Sequence, residues 1–455
     1  DNDNPTSLSD NRIKYIYKDS KNIIWLGTHD GLNAYDEKND NFYKYFYSIE
    51  NPNSISGNTI TSICEDNDNF LWIGTDKNGL NIYDPNNYNF TRHKVDSSGK
   101  NGIICDHIFC LCKDKSNIIW IGTMGEGVSK VNLQQKRFYS INNDDNNFKK
   151  DKRNKIRSIH TNFRDILVIG TFNDGLYEYS GNEIYYSFKK HSEIKESSVN
   201  SIISDNQNNL WIASNKLGLC KLSPTGQFDS FNNQLGISDN VIYYLLHNKF
   251  DNNLIWVGTD KEGLKIFNIR EEKFVDYYNL PSELIDIDVR SIHSDNSHNL
   301  WIGTEANGLF KYNIENGFLK NFKYESGSKY CISDNTIWCI CEDVNKYIWI
   351  GTASGGINKL NTDGEVLFYY TEKNGLTNNC VFGILEDENN NLWISTNDGL
   401  SCFNPDKEIF RNYDETDNLP GREFNEGAFL KSKDGILYFG GMNGITYFNP
   451  SEIKD

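Results

Sequence analysis

The feature that most constrains this chain is a repeat. The stretch Leu71-Trp72-Ile73-Gly74-Thr75, the polar turn Asp76 to Gly79 and the run Leu80-Asn81-Ile82-Tyr83-Asp84-Pro85 read as strand, tight turn, strand. Aromatic and β-branched residues suit a half-buried pleated surface, glycine supplies the positive φ of a tight hairpin, and Asp-Pro ends the second strand. The unit occurs ten times. Its tryptophan position is held by Trp25, Trp72, Trp120, Val168, Trp211, Trp256, Trp301, Trp349, Trp393 and Tyr438, at intervals of 43 to 48 residues. One hairpin cannot bury both of its faces, so units repeating at this period must stack on one another.

Two further strands flank each hairpin. The first is Ile60 to Asp66, mirrored by Ile13 to Asp19, Ile108 to Asp114, Val289 to Asp295, Ile337 to Asp343 and Val381 to Asp387. Its third position is small (Ser62, Cys110, Ser158, Ser201, Ser291, Cys339, Gly383), as crowding around a central axis requires. The outer strand is marked by Phe42, Phe90, Phe138, Phe228, Phe274, Phe318 and Phe410. Helical periodicity is absent. The expectation is an all-β fold, a β-propeller of about ten four-stranded antiparallel blades. The repeats fall at roughly 11–57, 58–105, 106–153, 154–196, 197–239, 240–286, 287–334, 335–378, 379–421 and 422–455. Ten hairpins meet only nine outer strands, so the last blade is expected to be incomplete, its missing strand lying before Asp1 in the intact protein. A single ten-bladed ring is expected over a seven-bladed ring plus three further blades, because three orphan blades would expose two sheet edges. Blade four, with Val168 for tryptophan, is expected to be the least regular.

The recurring pattern D…LWIGT…GL…YDP…F…Y resembles the two-component regulator propeller repeat. Its fullest copies are Asp66 with Leu71 to Thr75, Gly79-Leu80 and Tyr83 to Pro85, and Asp295 with Leu300 to Thr304 and Gly308-Leu309. The resemblance covers essentially the whole chain. Arg422-Glu423-Phe424-Asn425, Tyr438 to Gly441 and Asn443 to Pro450 resemble the terminal repeat of that family. The resemblance implies the extracytoplasmic sensor region of a hybrid two-component system or related receptor of a bacterial membrane. In such receptors an immunoglobulin-like domain, a transmembrane helix and a signalling output follow. Sensors of this kind carry about fourteen repeats in two seven-bladed rings, and ten repeats depart from that count.

Charge narrows the partners. The net charge is −17, with 46 basic against 63 acidic residues, which disfavours nucleic acid and an anionic membrane surface. No apolar run approaches the roughly 20 residues of a membrane helix. No signal peptide is visible, and the abrupt ends suggest a piece of a longer protein. None of the ten cysteines has CxxC spacing. Cys110 and Cys112, like Cys339 and Cys341, are two apart on one strand and pair poorly, so they read as small buried hydrophobes. The basic loop Asn142 to Asn154, with Lys149, Lys150, Lys152 and Arg153, reads as solvated.

One position behaves unlike the rest. The second residue of the inner strand is Lys14, Thr61, Phe109, Arg157, Asn200, Tyr243, Arg290, Trp338 and Phe382 in successive repeats. A purely structural position would repeat its residue type. This one varies and is rich in aromatics and arginine, which suit sugars or anionic groups. The candidate ligand-binding set is Trp338, Arg290, Tyr243, Phe382, Arg157, Phe109 and Lys14, on the face where the inner strands begin. The competing reading is that these side chains plug the channel or pack between blades. His160 and His293 read as packed residues, and no catalytic group, cofactor or metal site is indicated. The expected function is ligand sensing for a transmembrane receptor, the ligand an oligosaccharide or other small nutrient-derived molecule, in a receptor that admits a homodimer. The alternatives are a propeller glycoside hydrolase or polysaccharide lyase, and a protein-interaction scaffold.

Overall fold

The computed structural model describes residues 4, 6–95, 103–115, 117–132, 138–141, 155–180, 183–185, 194–231, 241–328 and 330–453. They form ten antiparallel sheets, nine of four strands and one of three. Blade two is typical: Ile60–Glu65, Leu71–Thr75, Leu80–Asp84 and Asn89–His93 pair in chain order from inner to outer. Among the described residues the only helical segments are short 3-10 turns, and no helix is long and apolar enough to cross a membrane. The basic loop Asn142 to Asn154 lies outside the described residues.

The repeat pattern has a local physical cause. The aspartate that ends the inner strand accepts the indole N–H of the tryptophan six residues later: Trp72 Nε1 to Asp66 at 2.9 Å, Trp211 to Asp205 at 2.8 Å, Trp349 to Asp343 at 2.8 Å. Its other carboxylate oxygen takes a backbone N–H of the turn, Phe70 on Asp66 and Tyr347 on Asp343. Each indole is therefore buried with its polar atom satisfied. The small third position has a cause different from axial crowding. A Cβ on Gly170 would lie 2.1 Å from Ser158 Oγ and 2.7 Å from Val199 of the next blade, and Gly303 meets Ser291 and Ile337 likewise. The small residue and the glycine of the tryptophan strand let the next blade close in.

The chain divides into two compact units, Asp1–Gln135 and Lys136–Asp455. The first holds blades one to three and the second blades four to ten. In the second unit the inner strand of blade ten, Phe424–Lys431, packs against the inner strands of both blade nine, Val381–Glu386, and blade four, Ile156–Thr161. Seven blades therefore close on themselves. The outer strand of blade ten is Tyr139–Ile141, which pairs with Gly444–Phe448. Phe138, just before it, is buried among Tyr413 (5.1 Å between ring centroids), Phe448 (4.8 Å) and Trp393 (6.4 Å).

This corrects the single ten-bladed ring. It also corrects the role of Phe138, whose strand serves blade ten rather than blade three, and the source of the closing strand, which lies within the chain. The edge-strand argument underestimated what closure gains: both faces of seven sheets become covered, at the cost of leaving blade three with Ile108–Lys113, Ile118–Thr123 and Val128–Asn132 alone. Among the described residues blade three, not blade four, is thus the least regular. Val168 is fully buried in the core of blades four and five, and blade four keeps four strands.

A plugged mouth at the centre of the seven-bladed ring

Six of the seven inner strands of the ring start with the same irregularity. Ile156 pairs with Thr171 and Ser158 with Gly170, so Arg157 is a bulged residue without a cross-strand partner. The same shift frees Asn200, Tyr243, Arg290, Trp338 and Phe382. A β-bulge bends its strand and re-aims the extra side chain. The residues that vary from repeat to repeat are the ones the ladder does not hold.

The hairpin turns reach the same face. The amide of Phe172 donates to Lys155 O (2.9 Å), Asn215 to Ser198 O (3.1 Å), Asp260 to Val241 O (3.0 Å) and Glu305 to Asp288 O (3.1 Å). Each such bond sets a turn residue beside the start of its own inner strand. Asp260 is raised above the usual carboxylate range by burial and then by its neighbour Asp288.

Blade ten departs from the pattern. Phe424 pairs with Gly441 and Phe429 with Phe439, and Ala428 lies against Gly440 where other blades have their small third residue. Asn425, Glu426 and Gly427 thus stand where the other blades have one residue. Gly427 has φ +72, and a Cβ there would lie 3.2 Å from Arg157 O and 3.3 Å from Asn200 O. The loop is pressed onto blades four and five, with Asn425 Nδ2 donating to Ile156 O at 2.9 Å.

Glu426 reaches from this loop to two arginines. Arg157 Nη1 donates to Glu426 Oε1, and Arg290 Nη1 lies 3.9 Å from the same oxygen. Arg290 also donates to Glu305. Its guanidinium lies over the Tyr243 ring at 3.6 Å from the centroid and 5.4 Å from that of Trp338. Burial opposes the charge on Arg290, yet Glu305 and Glu426 outweigh it and hold its pKa above the ordinary value. Burial raises Tyr243, and Arg290 partly offsets it. Burial and then the charge of Glu426 push the Cys380 thiol up to about 11.

The arrangement leaves polar atoms unsatisfied. Asn200 Oδ1 and Arg290 Nε are buried without a hydrogen-bond partner, and the buried Trp338 Nε1 has only the thiol of Cys380 as its partner. Asn200 is only 7% exposed, and its amide nitrogen is fixed by Ile242 O at 2.8 Å. An unpaired buried polar group costs about 1–3 kcal/mol, so their convergence at one mouth is not neutral. The space between Arg157, Asn200, Tyr243, Arg290 and Glu426 is only ≈ 20 Å³, about one water's worth.

A larger cavity of ≈ 420 Å³ lies on the flank of blade nine, under Pro450, Ser451 and Ile453. Its polar walls bond to one another, Asn391 to Asp387 and Asn404 to Asn391 at 2.7 Å. None of the buried side-chain atoms described as lacking a partner lies in this wall, so the central mouth is the stronger candidate.

Of the seven residues singled out from sequence, the structure brings Arg157, Tyr243, Arg290 and Trp338 together. Phe382 packs instead against the core of blades nine and ten. Lys14 and Phe109 are bulged and exposed as well, and belong to the three-blade unit. Glu426, Asn200 and Glu305 were missed. The signal for Glu426 was present: three residues between Phe424 and Ala428 where every other repeat has one.

Comparison with known proteins agrees with this architecture. The family described as two component regulator propeller matches residues 7–30, 54–77, 102–125, 193–216, 331–354 and 375–398. Histidine kinase P4 of Formosa agariphila is 24% identical over 323 residues, covering 66% of this chain and 23% of that protein. The chain thus spans less than a quarter of that relative. The extracellular domain of the hybrid two component system BT4673 from B. thetaiotaomicron superposes with a TM-score of 0.55 at 18% identity, over 98% of this chain and 65% of that one. PorZ, a surface component of the type-IX secretion system of Porphyromonas gingivalis, gives 0.51 at 12% identity, over 97% and 74%. At these identities the structural likenesses establish the propeller fold.

Proposed function

We propose that this chain, which carries two component regulator propeller repeats, is an extracytoplasmic ligand-sensing region of a membrane receptor, and that it binds its ligand at the bulge-lined mouth of the seven-bladed ring. The ligand is an oligosaccharide or another small nutrient-derived molecule. The observation that carries this reading is the convergence of Arg157, Asn200, Tyr243, Arg290 and Trp338 on one mouth, two of them, Asn200 and Arg290, with a buried polar atom unmet. Variable side chains on a rigid scaffold are where recognition sits.

The site binds rather than reacts. Two of its carboxylates, Glu426 and Glu305, are held by arginines, which suits them to hold a geometry rather than to exchange protons with a substrate. Signalling then follows from population shift: a ligand that favours one arrangement of the receptor biases the output by its differential affinity.

The test is a screen of oligosaccharides for a rise in melting temperature, repeated with Trp338→Ala. The substitution should weaken binding by about 1–3 kcal/mol with little loss of fold. Normal binding combined with a loss of several kcal/mol of stability would make Trp338 a packed residue and move the site elsewhere.

A further inference from the structure

We infer that the ligand of this mouth carries a carboxylate, as an oligosaccharide containing uronic acid does, and that Glu426 occupies the place its carboxylate takes. The inference rests on the reading of the mouth as a ligand site. Arg290 Nε is an unmet N–H donor and requires an acceptor, and Trp338 Nε1, a second donor, has only the Cys380 thiol, a weak acceptor. The other unmet atom, Asn200 Oδ1, is an acceptor whose orientation is fixed by the bond from its amide nitrogen to Ile242 O, and it suits a hydroxyl. A group that accepts from an arginine and an indole beside one that donates a hydroxyl is the chemistry of a sugar acid.

The arginines point the same way. Arg157 and Arg290 come from blades four and seven, yet both approach one carboxylate oxygen of Glu426. Two guanidinium groups converging on a planar carboxylate form a fork that fits carboxylates better than neutral hydroxyls. Glu426 is carried by the segment Asn425 to Ala428, which is released from ladder pairing. With ≈ 20 Å³ between the walls, no sugar enters unless a side chain leaves, and the side chain already held by the two arginines is the one that a carboxylate can replace without unpairing them. Phe382, packed into the core, takes no part.

The experiment uses the chain of 455 residues and digests of pectate, alginate, glucuronoxylan and hyaluronan, each also after reduction of its carboxyl groups. Melting temperature is read first and calorimetric affinity second. An acidic digest should raise the melting temperature and its reduced counterpart should not. Arg290→Gln should abolish the effect, with Arg290→Lys, which keeps the charge and loses the fork, as the second variant if the first fails to fold. Glu426→Gln should tighten binding of the acidic digest by about tenfold, because a competing negative charge is gone. A merely structural Glu426 would lower stability without that gain, and unchanged or weaker affinity in Glu426→Gln overturns its role. If a reduced or neutral digest binds as well as its acidic parent and Trp338→Ala abolishes that binding, the mouth stands as the site and the carboxylate inference falls. If sulfated neutral sugars alone bind, the anion is a sulfate and the inference likewise falls. If no digest binds, both readings fall together.

Discussion

Blades three and eight start with almost the same strand. Ile108-Phe109-Cys110-Leu111-Cys112 and Ile337-Trp338-Cys339-Ile340-Cys341 share the apolar first and fourth positions, the bulged aromatic and both cysteines. In blade eight Cys339 and Trp349 are buried, pressed on by blade nine through Val381, which lies 2.5 Å from where a Cβ on Gly351 would be. In blade three Cys110, Cys112 and Phe109 are exposed, and Trp120 is 40% exposed although its bond to Asp114 is intact at 2.8 Å. The difference teaches what the tryptophan pattern encodes. The aspartate clasp is made within one blade, but the burial of the indole is supplied by the next. Blade three keeps its local geometry and its core against blade two, but with no described blade after it the indole is left uncovered.

The largest expected consequence is in stability. Trp349→Ala should cost about 3–5 kcal/mol, the range for a buried aromatic removed from a close-packed core. Trp120→Ala should cost about 1 kcal/mol or less, because much of its surface already meets solvent. Amide exchange of the strands Ile348–Thr352 and Ile118–Thr123 reads each unit by itself. Equal losses at the two sites would mean that the face of blade three is covered in solution and would break the comparison.

Acid should sharpen it. His160 in blade four faces Ser204 of blade five, Nε2 to Oγ 3.2 Å, and burial depresses its pKa from 6.5 to about 4. Between those values the unfolded chain binds a proton that the folded ring refuses, so stability falls as pH drops through that window. The loss from this residue between pH 7 and pH 5 should be about 2 kcal/mol. The same strand position in blades one to three is Tyr17, Cys64 and Cys112, none of which gains a proton there. His160→Leu should flatten this part of the acid response of the ring. An unchanged profile in that variant would assign the response to other groups.

The blades were legible in the sequence because their determinants are local. Asp66, Trp72, Gly74 and Gly79 fix turn, strand and hairpin within one repeat. Ring size was not legible, since it depends on how far each sheet turns against the next, and a blade with Trp120 reads like one with Trp349. The closing strand was hidden for another reason: Tyr139 pairs within blade ten with Tyr447, far along the sequence, and Phe138 carries the same aromatic mark that elsewhere denotes the outer strand of its own blade. At the mouth, Arg157, Tyr243, Arg290 and Trp338 stood out because their position does not repeat a residue type. Phe382 stood out for the same reason and is packed, because variation alone does not say where a bulged side chain turns.

The smallest effect in free energy gives the most direct reading of the two regions. Cys110 and Cys112 are exposed in blade three, while their counterparts Cys339 and Cys341 are buried and half-buried in blade eight. Burial raises both of the latter, Cys341 to about 12 and Cys339 further, so neither forms the thiolate that reacts at neutral pH. A thiol reagent at pH 8 should label Cys110 and Cys112 within minutes and leave Cys339 and Cys341 intact until the ring unfolds, with no change in melting temperature from the labelling itself. Mass spectrometry of the digested protein identifies the sites. Protection of Cys110 and Cys112 equal to that of Cys339 would show that the open side of blade three is covered, and Trp120 would then be expected to behave as Trp349 does. Labelling of Cys339 in the folded protein would show that the ring opens at the contact between blades eight and nine, where Val381 closes over Gly351.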